Sequence, residues 1–130
     1  MKACYSDPRS DETVEVPVDS PAAVAGLLDE LAAMTSERGR PTLEILRDDG
    51  ASLAVSQDEA RAFLVWVDSL GESHHSVGGV DHESMVFDYF GSWSEAPANQ
   101  LIPIEEVGGC VMAFMSGGSP ATETVLFTPE

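Results

Sequence analysis

The sequence predicts an α+β fold: a single domain, mainly an antiparallel β-sheet laid out as a meander, with two helices packed on it. Three observations lead there. Short runs alternate apolar and polar residues; turn residues join those runs in place of the long crossovers a parallel sheet requires; and two other segments space their apolar residues as a helix does. With 130 residues, 43% of them hydrophobic, the chain is long enough for one core and too short for two.

Residues 1–11 are polar and acidic and are expected to form a flexible tail ahead of one domain over 12–130. "ETVEVPV" then alternates Val14, Val16 and Val18 with Glu15 and Pro17, a half-exposed strand that Pro17 confines to an edge. A helix follows. Ser20 stands as N-cap before Pro21, and Val24, Leu27, Leu28, Leu31 and Met34 recur at helical spacing until Gly39 and Pro41 end it. "TLEILRDDGASLAV" places Leu43 and Ile45 on one side of Asp49-Gly50 and Leu53 and Val55 on the other. This is a hairpin signal, with glycine at the positive φ. "AFLVWV" from Ala62 is apolar on both faces and reads as a central strand. "SHHSV" is the next strand, and "MVFDYF" another, with Met85, Phe87 and Tyr89 on one face and Val86, Asp88 and Phe90 on the other. "DYFGSWSEAPANQLIP" reads as a ring-rich loop. After it Ile104, Val107, Val111 and Phe114 or Met115 mark a second helix, with Glu105 and Glu106 in its first turn and Gly108-Gly109 weakening it. "TVLF" from Thr124 closes the sheet.

Composition narrows the function. The 23 acidic against 6 basic residues give a net charge of −17, which excludes a direct grip on nucleic acid and points to basic partners or to a merely soluble acidic surface. Lys2 is the only lysine and Asn99 the only asparagine, as a GC-rich bacterial genome would favour. The start "MKACYSDPRSDE" contains no apolar run, so a cytoplasmic protein with no membrane segment is expected. Cys4 and Cys110 lack the spacing of a thiolate metal site; Cys4 is expected to be mobile and Cys110 a small buried hydrophobe.

No catalytic constellation stands out. There is no phosphate-binding loop or dinucleotide fingerprint, and "GGSPA" lacks the last glycine of a nucleophile elbow and follows a helix. "DDG" at Asp48 to Gly50 is a turn without the other ligands of a calcium loop. His74, His75, Asp81, His82 and Glu83 form the best group for a metal or for proton transfer. Adjacent histidines on a strand point to opposite faces, however, so at most one of His74 and His75 meets His82. Asp88 with Glu95 as an acid/base pair is cheap in so acidic a chain. The expectation is therefore no catalysis, no metal and no cofactor, with a small metal-dependent enzyme using His74, His75 and His82 as an alternative.

Trp66, inside an apolar run, reads as core. Trp93 follows Gly91 and Ser92 beside Glu95, and has two readings: an anchor held out for a protein partner, or a ring folded back over the sheet edge. The expected partner-binding surface is Trp93, Glu95, Asp88, Ser94, Asp81 and Glu83.

From "HHSVGG" through "VFDYFGSWSEAPANQLIPIEEV" to "FMSGGSP" and the closing strand, the sequence resembles the Imm1 family of immunity proteins from bacterial polymorphic toxin systems. The similarity is strongest from His74 to Pro120 and most specific at Gly91, Trp93, Glu95, Pro97, Leu101, Pro103, Glu105 and Glu106. Gly108-Gly109 departs from it, where relatives more often carry helix formers, as does Phe127, where a tryptophan is common. The resemblance implies a non-enzymatic protein that binds a cognate toxin domain, often a nucleic-acid deaminase, as a heterodimer. An acidic intracellular adaptor for another basic protein is the alternative.

Overall fold

The computed structural model describes residues 1–79 and 83–130. Seven strands form one sheet: β1 (Lys2–Ser6), β2 (Thr13–Pro17), β3 (Leu43–Leu46), β4 (Ser52–Gln57), β5 (Arg61–Val67), β6 (Ser73–Val77) and β10 (Leu126–Pro129) lie in the order β10-β6-β5-β4-β3-β1-β2. The short β9 (Ile102–Pro103) adds to β5 as an eighth. All of its pairings are antiparallel, and β3 to β6 are the expected meander. The fold is the α+β domain that the sequence predicts.

The hairpin at Asp49-Gly50 forms as expected: Leu43 pairs Val55, Ile45 pairs Leu53, and Gly50 has φ +91°. These four side chains are fully buried and face helices α1 (Pro21–Ala32) and α2 (Val107–Met115). Ser20 caps α1 by accepting the Ala23 N–H at 3.2 Å, with Pro21 at the first helical position. The helix stops at Ala32, short of the expected Gly39. Thr35 Oγ1 donates to the Ala32 carbonyl and Ser36 Oγ accepts from the Arg38 N–H, so local hydroxyls take the backbone bonds a further turn would need. A 3₁₀ turn over Ile104–Glu106 leads into α2. Val107, Cys110, Val111 and Phe114 of α2 are buried, and burial pushes the Cys110 thiol up to about 11, helped by the nearby Glu106 charge.

The sequence reading needs two corrections here. Residues 2–6 of the expected flexible tail are strand β1, hydrogen-bonded between β2 and β3, and Cys4 is buried there. "KACYS" carries little alternation of its own, and pairing on both edges holds it in place. The second concerns "MVFDYF". It forms β7 (Met85–Tyr89) but does not join the sheet; it pairs with β8 (Ser92–Ala96), which lies inside the stretch expected to be a loop.

The β7–β8 ribbon covers the sheet face opposite the helices. Met85, Phe87, Ala96 and Leu101 bury themselves there with Phe63 of β5, whose ring centroid lies 5.8 Å from that of Phe87. The molecule thus has three layers: helices, sheet and ribbon.

Arg47 ties the first two layers together. Its Nη1 donates to the Phe114 and Gly118 carbonyls, each at 2.7 Å, at the C-terminal end of α2, where a cation opposes the helix dipole. The guanidinium lies 4.6 Å from the Phe114 ring centroid and is held in turn by Asp49. Arg47→Ala should lower unfolding stability by about 2 kcal/mol, the scale of hydrogen bonds to a charged group, as read by urea denaturation. Arg47→Lys should recover little of it, because an ammonium cannot span two carbonyls and Asp49 at once.

Candidate functional site

The ribbon turns through Phe90 and Gly91, with φ +50° and +93°, and Tyr89 pairs with Ser92 across it. Two consecutive positive φ values in a two-residue loop define a type I′ turn. Phenylalanine is a poor first residue for such a turn, which is why the sequence gives no hairpin signal there. Asp88 supplies the compensation: its Oδ1 accepts the Gly91 N–H at 2.8 Å. Phe90 also packs edge-on against Tyr89, with ring centroids 5.2 Å apart.

Asp88 is only 1% exposed, so it does not face a partner, and its place in the expected binding surface is corrected. Its backbone N–H donates to the Arg40 carbonyl and its own carbonyl accepts from the Thr42 N–H, which closes the outer edge of β7. Oδ2 lies 3.5 Å from Arg38 Nε, an ion pair between a buried carboxylate and a half-buried guanidinium. Arg38 is offered by a tight turn in which Ser36 and Gly39 exchange backbone hydrogen bonds. That turn needs glycine: Gly39 has φ +96°, and a Cβ there would stand 2.9 Å from the Val86 carbonyl oxygen.

Strand alternation sorts the remaining residues. Ser94 and Ala96 oppose Phe87 and Met85 toward the core; Trp93 and Glu95 oppose Asp88 and Val86 on the outer face. Trp93 is 57% exposed and Glu95 is exposed. The ring is therefore not folded back into the core. Ser94 is half-buried on the inner side, and Glu83 is exposed just ahead of β7. Asp81 and His82 lie outside the described residues. At the ribbon's tip, 46%-exposed Tyr89 lies near Glu44 and Cys4. Burial first, and then those two charges, push the Tyr89 hydroxyl up, and burial also raises the Glu44 carboxyl.

The histidines belong elsewhere. His74 stacks on Trp66 at 4.4 Å, and its Nε2 lies 3.1 Å from Asp68 Oδ2. His75 points to the opposite face, as expected, and its Nδ1–H donates to the Ser76 carbonyl. Asp68, Glu72 and His74 stand close enough to share a metal ion. Asp68 already accepts the Leu70 and Glu72 N–H groups as a turn carboxylate, however, and its contacts with His74 and those amides hold its pKa down. Trp66 packs against the core as expected, with Phe127 edge-on to it at 6.3 Å. A cleft of about 540 Å³ is lined by Arg40, Asp58, Arg61 and Glu83 among others. Its arginines hold the Asp58 carbonyl, the Asp58 carboxylate and the Glu83 carbonyl, contacts that brace the chain on either side of β5.

Charge is distributed just as unevenly. Lys2, Arg9, Arg38, Arg47 and Arg61 are in ion pairs with carboxylates of the same chain, and Arg40 holds a backbone carbonyl. Each basic side chain thus has a partner within the chain, Lys2 and Arg9 in solvent-exposed pairs, and the net charge of −17 leaves the surface acidic. Among the described residues, no helix is long and apolar enough to cross a membrane.

A stiff exposed ribbon carrying a large ring beside a carboxylate, on an acidic body, suits recognition of another macromolecule. The family model for immunity protein Imm1 matches residues 12–123. The chain belongs to the Imm1 family of immunity proteins. No curated protein matches its sequence.

Asp88→Ala should cost about 2 kcal/mol or more in thermal or urea unfolding, since it leaves the Gly91 N–H without its acceptor and takes the buried carboxylate from Arg38 Nε, whose other ion pair is with exposed Asp11. Asp88→Asn, which keeps an acceptor for Gly91, should recover part of that loss.

Proposed function

We propose that this protein is a cytoplasmic, non-enzymatic inhibitor that binds a cognate toxin acting on nucleic acid, of the deaminase kind, as a one-to-one heterodimer. It blocks the toxin by covering the basic surface that would hold phosphates. The observation that carries the reading is Trp93: a large ring more than half exposed, on a ribbon fixed by a buried aspartate, in a chain of net charge −17. Interface anchors are typically aromatic, and a ring held in place before binding loses little entropy on docking. Glu95 on the same face and Glu83 nearby add negative charge, while Ser94 supports the ribbon from its inner side. A toxin that grips phosphates must present cations, so an acidic inhibitor is steered toward it and excludes its substrate by occupying the site.

Trp93→Ala tests this. Binding to the toxin domain encoded by the neighbouring gene should weaken by about 2 kcal/mol or more, with thermal stability close to wild type because the ring is more than half exposed and belongs to neither core cluster. The wild-type on-rate should fall with salt much more steeply than the off-rate rises, exposed charges being screened over about 8 Å at physiological ionic strength. A destabilised variant that binds normally, or an on-rate flat with salt, would reject the proposal.

A further inference from the structure

We propose that the partner docks by strand addition: an extended, basic segment of the toxin pairs with the free edge of β8 through the backbone of Trp93 and Glu95. This inference rests on the reading of the chain as a toxin-binding protein and deepens it.

The hydrogen-bond pattern of the ribbon carries the inference. In a two-residue type I′ hairpin, the residues flanking the turn exchange both of their hydrogen bonds, and alternate pairs thereafter do the same. Tyr89 with Ser92, Phe87 with Ser94 and Met85 with Ala96 are therefore the bonded pairs, while the N–H and C=O groups of Asp88, Trp93 and Glu95 point away from the ribbon. On the β7 side this is directly visible, because the outward groups of Asp88 bond to Arg40 and Thr42. On the β8 side nothing comparable exists: among the described residues, no backbone partner meets Trp93 or Glu95. Two donors and two acceptors stand in a row beside an exposed ring.

The β8 edge differs from the outer edges of the sheet in the large ring exposed beside it. The two outer strands of the sheet end on prolines, β2 on Pro17 and β10 on Pro129, and each proline removes one backbone donor at the end of its edge. β8 has no proline, no lysine and no bulge over Ser92–Ala96; its five residues pair without a break. Its one charge is Glu95, for which no cation is found among the described residues. That carboxylate also selects the occupant. A second copy of this chain would bring another acidic edge against it, at a net charge of −17 per molecule, whereas a strand with lysine or arginine opposite Glu95 would be attracted. Two positions along, an arginine or an apolar side chain of the same strand would lie over Trp93.

Two variants at one position separate backbone from side chain. Glu95→Ala removes the carboxylate and keeps the N–H; Glu95→Pro removes both. Because that N–H points away from β7, proline leaves every ribbon hydrogen bond in place. With the inactivated toxin domain from the neighbouring gene as probe, Glu95→Pro should bind about tenfold more weakly than Glu95→Ala, one backbone hydrogen bond being worth about that much. In wild-type protein, amide exchange at Trp93 and Glu95 should be fast when free and slow in the complex, whereas Ser92, Ser94 and Ala96 are protected in both. Equal affinities for the two variants, or Trp93 and Glu95 amides that still exchange freely in a formed complex, would overturn the proposal. Should the proline variant fail to fold, the wild-type exchange measurement decides alone. A wild-type protein that forms no complex would reject the toxin-binding reading itself, a result distinct from a complex whose β8 edge stays open.

Discussion

Asp88 is the residue on which the ribbon depends. Its carboxylate holds the Gly91 N–H on one side and faces Arg38 on the other, while its backbone bonds to Arg40 and Thr42. Four elements meet there: the type I′ turn, β7, the tight turn at Ser36–Gly39, and the lead into β3. The turn itself runs against the grain of its sequence, since Phe90 must sit at positive φ, where a bulky side chain is strained. A buried carboxylate that accepts the next N–H and pairs with a cation offsets that strain. It also fixes the ribbon's orientation, and with it the direction in which Trp93 points.

Burying an aspartate this deeply is costly unless it is bonded and paired, and an ion pair at 3.5 Å repays only part of the cost. Removing one partner is far worse than having neither. The arrangement is therefore better understood as specifying geometry than as adding stability, and the geometry it specifies is a platform: an inner face packed on Phe63 and an outer face on which Trp93 and Glu95 meet solvent. The proposed strand addition uses that division. One edge of the ribbon is anchored to the domain, and the other has no backbone partner among the described residues.

The charge of the protein gains meaning from the same accounting of partners. Were its arginines spread over the surface, they would neutralise acidic neighbours at random. Instead Arg47 locks α2 to the β3–β4 turn, Arg61 braces the approach to β7, and Arg38 supports Asp88. These three cations are structural, and carboxylates dominate the outer field. His74 is structural as well, stacked on Trp66 and held by Asp68.

The sequence by itself determined the elements whose signal is local. Period-two alternation around Asp49-Gly50 gave the β3–β4 hairpin, Ser20-Pro21 gave the start of α1, and helical spacing from Val107 to Phe114 gave α2, because each depends on neighbours a few residues apart. The opposite faces of His74 and His75 followed from pleating alone, and the resemblance carried by the "FGSWSEAP" stretch was legible in its residues. Tertiary structure decided what depends on distant partners. β1 is a strand because β2 and β3 flank it, not because "KACYS" alternates. β8 was hidden because its turn lacks the asparagine or aspartate that marks a type I′ hairpin, and the stabilising contact comes from Asp88, outside the two turn residues. The same distant contacts sorted the candidate site: Arg38, fifty residues away in sequence, took Asp88 out of the surface, while alternation along the unexpected strand put Trp93 and Glu95 on it. Residue types foretold the chemistry available to the site, but only the packing of a ribbon on a sheet settled which of those groups meet solvent.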